Sequence, residues 1–290
     1  MERKLGINTH GLNFLVYANK FQDFGDTVTI GRQGLHVKDS TVRKILSIGL
    51  DYKNDDYAEK IMKIYFKAGR VDSIDNSNYE GASIIHDMNY KLPLNYTSIY
   101  GTIIDGGCLE HIFNISQALM NCSLLCKPGG QIIHILPANN FCGHGFYQIS
   151  PELFFSLYSQ DNGYRDTEVY LAASSNTKFW YKVKPPKNGK RVIVYSSSEI
   201  HVLVRTVLND SYFAQINVQQ SDYIHEWKNH TKEIERKFII KNFLRNYIVK
   251  SPKLYAILFP IYRYYLYNFK LRLNRFNPGL IKINVKSLLK

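Results

Sequence analysis

Residues 100–140 read YGTIIDGGCLEHIFNISQALMNCSLLCKPGGQIIHILPANN. With Ile99 in front, IYGTIIDGG (99–107) has the β-branched and aromatic run of a buried strand. ISQALMNCSLLC (115–126) reads as a helix, KPGG (127–130) as a turn, and QIIHILPA (131–138) as the next strand. Strand, helix, turn and strand in that order form a parallel unit whose helix crosses one face of a sheet.

The same alternation extends in both directions. Upstream, residues 1–25 show little periodicity, and TVTIG (27–31) is a short β-branched strand. It lies within DTVTIGRQGLHV (26–37), where strand meets a turn carrying Gly31 and Gly34. STVRKILSIG (40–49) and DDYAEKIMKIYFKAG (55–69) read as helices, the second with an acidic start and a glycine stop. RVDSIDNS (70–77) and GASIIHDMN (81–89) are the next strands. Downstream, SPELFFSLYSQDNG (150–163) begins with Ser150 as a cap, Pro151 in first position and Glu152 in the first turn of a helix. DTEVYLAA (166–173) and EIHVLVRTVL (199–208) close the series as two strands with no convincing helix between them. They are expected to pair antiparallel at the sheet edge. The loop between them is long, basic and aromatic.

In this setting the chain resembles the class I S-adenosylmethionine-dependent methyltransferases over residues 26–210. The resemblance rests on the strand ending in Asp105, Leu109-Glu110-His111, the following helix, and Lys127-Pro128-Gly129-Gly130 before the next strand. It implies an α/β, Rossmann-like, mostly parallel seven-stranded sheet with an antiparallel last strand, spanning a domain over 1–220. A helical, basic extension over 221–290 follows it.

The resemblance also implies a cofactor, S-adenosylmethionine, at the carboxyl ends of the strands. Asp75 would accept from the ribose hydroxyls. Asp87 would accept from the adenine amino group, with Met88 as its apolar cover. Asp105 would stand at the same edge. The glycine turn, Gly31-Arg32-Gln33-Gly34, would approach the methionine part; the family has G-x-G-x-G there. Arg32 is free to turn outward, or to pair with the cofactor carboxylate or an acidic side chain.

Methyl transfer is an in-line displacement, helped by a base when the acceptor is a hydroxyl. Candidate bases are Glu110, His111 and His144, the last in the loop NNFCGHGFYQISPE (139–152). Tyr147 and Gln148 of that loop are candidate acceptor contacts. Some quinone-pathway relatives hold a metal with E-x-x-E-H. Gly107 occupies the first Glu position here, so no metal is expected.

The cysteines, Cys108, Cys122, Cys126 and Cys142, form no C-x-x-C pair and read as reduced thiols. With no apolar leader and no membrane-spanning run, a cytoplasmic protein is expected. The 290 residues carry 37 Lys and Arg against 24 Asp and Glu. Eleven of the basic residues and none of the acids lie from Lys241 onward, so the body is close to neutral. SPKLYAILFPIYRYYLYNFKLRLNRF (251–276) interleaves aromatics with Lys253, Arg263, Lys270, Arg272 and Arg275, and Pro260 is expected to break or kink it. Such a segment suits the inner, anionic face of a membrane, or packing on the body or a second subunit. Nucleic acid ranks below both. The leading functional reading is a methyltransferase for a small molecule or sugar, in surface-glycan biosynthesis. Two others stand beside it: a methyltransferase-like binding or scaffold protein, and an RNA methyltransferase.

Overall fold

Alternation of side chains across the central strands builds the two halves of the core. In β6 (Tyr100–Asp105) Ile103 faces one side and Ile104 the other. In β7 (Cys126–Asn139) Ile132 and Ile133 divide in the same way. Both faces of these strands are covered, which is why their sequences are almost continuously apolar. The computed structural model describes residues 6–49, 57–209, 218–229 and 251–290.

On one face lie α4 (Ile115–Leu125) and α5 (Pro151–Leu157), which bury Leu119, Cys122, Phe154 and Leu157. Against the other face lie α1 (Thr9–Asn19), α2 (Asp39–Leu46) and α3 (Glu59–Tyr65), with Phe14, Val42, Leu46 and Met62 inside. Helix α1 falls in the segment whose sequence shows little periodicity. Its buried set includes His10, Leu12, Phe14, Leu15, Tyr17 and Ala18, so burial wraps round the helix and leaves no narrow apolar stripe. Asn8 caps it, accepting from the Gly11 N–H at 3.0 Å.

The remaining strands are β1 (Gly6–Ile7), β2 (Gly25–Ile30), β3 (Gly34–Leu35), β4 (Ala68–Asp75), β5 (Ile84–Ile85), β8 (Tyr164–Ala173), β9 (Phe179–Val183), β10 (Ile200–Leu208) and β11 (Leu280–Asn284). Among the described residues the large sheet has nine strands, in the order β11-β9-β8-β10-β7-β6-β2-β4-β5. Strands β5, β4, β2, β6 and β7 are mutually parallel. Strand β10 enters between β7 and β8 and runs antiparallel to both. These seven are the expected Rossmann-like sheet with its one reversed strand.

Two further strands extend that sheet. The basic aromatic loop contains β9, antiparallel to β8, with Trp180 fully buried against α1. The C-terminal residues return as β11 beside β9, and α8 (Val285–Leu289) buries Val285 in the core. The KPGG turn sits inside β7 as a bulge: Cys126 opposes Tyr100 while Gln131 opposes Thr102. Gly129 takes φ 77° there.

Of the helical extension expected over 221–290, α6 (Ser221–Asn229) is described, and residues 230–250 lie outside the described residues. Helix α7 (Pro252–Tyr265) runs through Pro260, so of the expected break or kink the break is absent, and it continues as a π-helical turn over Leu266–Lys270. Among the described residues no helix is long and apolar enough to cross a membrane.

Candidate functional site

Strand order reverses at β2, whose chain continues to β4 on one side while β6 lies on the other. Open α/β sheets bind ligands in the crevice beyond the carboxyl ends at such a point. A cavity of about 430 Å³ is found there. The turn after β2, Asp75 at the end of β4, and Gly107, Cys108 and His111 after β6 contribute to its walls.

The turn is rigidly held. Gly31 takes φ 69°, and its N–H donates to the Ile74 carbonyl at 2.7 Å. Gly34 pairs with Gly6 of β1 and, on its other side, bridges Tyr57. Arg32 turns outward: Nε donates to Glu59 at 2.7 Å, Nη1 donates to the Glu80 carbonyl at 2.7 Å, and the guanidinium lies 3.8 Å over the Tyr57 ring. Gln33 sinks inward beside Gly106. Its Nε2 donates to the Ile30 carbonyl at 2.7 Å, while its buried Oε1 has no hydrogen-bond partner.

A second cavity of about 190 Å³ adjoins the first, with His36 and Gly107 lining both. Asn8, Glu110, Phe141, His144 and His201 contribute to its walls. Glu110 is completely buried, and neither of its carboxylate oxygens has a hydrogen-bond partner. Burial, and then the charge of Asp105, push its pKa up to about 8. His144 Nε2 approaches Glu110 Oε1 at 3.4 Å and His111 Nε2 approaches it at 4.0 Å, both without hydrogen-bonding alignment. The two imidazoles meet edge to face with centroids 5.0 Å apart. Burial, and then the neighbouring His144, lower the His111 pKa. Burial, and then His10, bring His201 down to about 4, so it is neutral at pH 7.

The remaining expected residues have other placements. Asp105 is completely buried beneath the floor. Its Oδ1 accepts from the N–H groups of Cys108 and Leu109, and its Oδ2 meets His134 Nδ1 at 2.9 Å. His134 Nε2 in turn lies 2.6 Å from the Tyr158 hydroxyl. Asp87 Oδ1 accepts from the backbone and side-chain amides of Asn89, and Met88 packs in the core. Tyr147 donates to the Phe113 carbonyl, and Gln148 accepts from the Phe141 N–H, so both shape the loop that carries His144. None of these five residues contributes to the walls of either cavity.

Asn8, His36, Tyr57, Glu80, Phe141 and His201 join the walls without any local motif. Sheet order and the β1 strap bring them together, and neither is written in a short window of sequence.

No family model matches the chain, and no curated protein matches it. Among solved structures it is similar to the branched-chain polyamine synthase of Thermus thermophilus, at 11% identity and TM-score 0.39. That match covers 76% of this chain and 63% of the synthase, so the chain spans less than two thirds of that relative. The N-methyltransferase NodS of Bradyrhizobium japonicum is 13% identical at TM-score 0.38, over 68% of this chain and 93% of NodS. The 1,6-didemethyltoxoflavin-N1-methyltransferase of Burkholderia thailandensis is 9% identical at TM-score 0.35, over 70% and 78%.

Proposed function

We propose that the protein is an S-adenosylmethionine-dependent methyltransferase acting on a small molecule or sugar, in surface-glycan biosynthesis. The observation that carries this reading is the pair of adjoining cavities at the switch point of the sheet. The larger has the size of a ligand pocket, for which about 300–1,000 Å³ is typical. Its residues fit the cofactor: Asp75 is a carboxylate for ribose hydroxyls, and Gly31 brings backbone to the wall. The cofactor supplies the electrophilic methyl group. The smaller cavity holds the acceptor, and Glu110 and His144 in its walls are the groups that ease loss of the proton from an acceptor hydroxyl.

The test is a panel of nucleotide sugars and small hydroxyl compounds incubated with radiolabelled cofactor. His144→Ala should lower turnover by about 10²–10⁴-fold with cofactor binding intact. Unchanged turnover would remove His144 from the reaction.

A membrane-facing role for α7 belongs to the same reading. Ile257, Leu258, Ile261, Tyr262, Tyr264 and Tyr265 are all exposed. Arg263, Lys270, Arg272 and Arg275 lie among the aromatics, and no acid lies there. That composition fits the headgroup region of an anionic bilayer, where a membrane-linked acceptor would be met.

A further inference from the structure

The smaller cavity contains a feature that its wall chemistry does not account for. Glu110 is a fully buried carboxyl group with neither oxygen hydrogen-bonded, although His144 Nε2 lies 3.4 Å from Oε1. A buried carboxyl group without hydrogen bonds either keeps its proton or is held ionised by a paired charge or a metal. Glu110 comes from the turn after β6, as does His111, while His144 comes from the loop after β7. One ligand atom from each lies within 4.8 Å of the other two.

Bonds of about 2.1 Å from a tetrahedral ion place neighbouring ligand atoms about 3.4 Å apart. Glu110 Oε1 and His144 Nε2 are already at 3.4 Å, and Glu110 Oε1 and His111 Nε2 at 4.0 Å. A small rotation of the more exposed His111 closes the set. The loop is built to bring His144 in. Phe146 N–H donates to the Glu110 carbonyl at 2.7 Å, and Gly145, at φ 70°, lies so close that a Cβ would come within 2.8 Å of that oxygen.

We propose that Glu110, His111 and His144 bind a divalent transition-metal ion at the junction of the two cavities. Two imidazoles and one carboxylate are a borderline donor set, suited to zinc, cobalt, manganese or iron rather than calcium. Three protein ligands leave a coordination position open, and His111 borders the larger cavity while Glu110 and His144 border the smaller one. Binding of the ion stands independently of the methyl-transfer reading. Its role rests on that reading: an acceptor oxygen in the open position becomes more acidic by coordination, and the two histidines serve as ligands rather than as bases.

The experiment titrates chelator-treated, dialysed full-length protein with Co²⁺, followed by visible d–d absorption, and with Zn²⁺ by calorimetry, both without cofactor. One ion per chain is expected. His111→Ala, His144→Ala and Glu110→Gln should each weaken binding by about 100-fold or more, at or beyond the upper end of what losing an outer-shell partner costs. Glu110→Gln preserves the shape of the buried site, and its unfolding transition verifies that the fold is kept. His86→Ala, remote from the site, should bind like the parent. Failure of the parent to bind Co²⁺ and Zn²⁺, or equal binding by all the variants, would overturn the proposal. Either result leaves cofactor binding, measured separately with adenosylhomocysteine, free to stand or fall alone.

Discussion

Glu110 sets a pH dependence of its own. Its pKa is about 8 in the folded, metal-free protein against 4.5 for an unburied glutamate. Between those values the folded state holds the proton and the unfolded state does not, so stability falls as pH rises through the window. Urea midpoints from pH 5 to 8 should therefore decline, and Glu110→Gln should flatten the decline; an equal slope in both proteins would contradict the assignment. Asp105 is the opposite case, a buried carboxylate with its bonds made, to two N–H groups and His134. Asp105→Asn should cost about 1–3 kcal/mol in urea unfolding. A strand-terminal Asp was legible in the sequence, but its direction was not. Asp75 reaches the cavity whereas Asp105 turns beneath it, because only the folded chain places His134, opposite it on the adjacent strand β7, at hydrogen-bonding distance.

At the scale of elements, the turn between β2 and β3 decides whether a ligand can lie against backbone. Its Arg32 and Gln33 look obstructive in the sequence. The structure ties Arg32 to Tyr57 and Glu59 at the cavity wall and packs Gln33 inward beside Gly106. The β1 strap fixes the turn from outside. A Cβ on Gly6 would come within 2.5 Å of the Gly34 carbonyl, where backbone must shift. Gly6→Ala should weaken adenosylhomocysteine binding while the central sheet, read by far-UV circular dichroism, persists. Unaltered affinity would show that the strap does not shape the site. Helix α1, which follows the strap, escaped sequence reading because burial on several sides erases the 3.6-residue stripe. The amphipathic α2 was legible for the converse reason: Val42 and Leu46 are buried one turn apart, Ile45 packs beside them, and the rest of the helix is polar.

Across the whole molecule, seven strands were readable because each is an apolar run bounded by turn residues. Strands β9 and β11 were not. The first lies in a basic loop, and the second takes its place only by pairing with the first from about a hundred residues away. This pairing alters how the tail must be tested. Deleting residues 251–290 would strip β9 of its neighbour and remove Leu280 and Val285 from the core. Substituting Leu258, Ile261, Tyr262 and Tyr265 by Ser keeps the sheet intact. That variant should lose co-sedimentation with phosphatidylserine vesicles while its melting temperature holds; equal sedimentation would reject a membrane role for α7. The central claim is that the crevice at β2, β4 and β6 holds an S-adenosyl cofactor. Calorimetric titration of the full chain with adenosylhomocysteine tests it most directly. Saturable binding is expected at one site per chain, and Asp75→Ala should abolish it with the fold intact. No binding by the parent protein at millimolar ligand, or binding unaffected by Asp75→Ala, would contradict it.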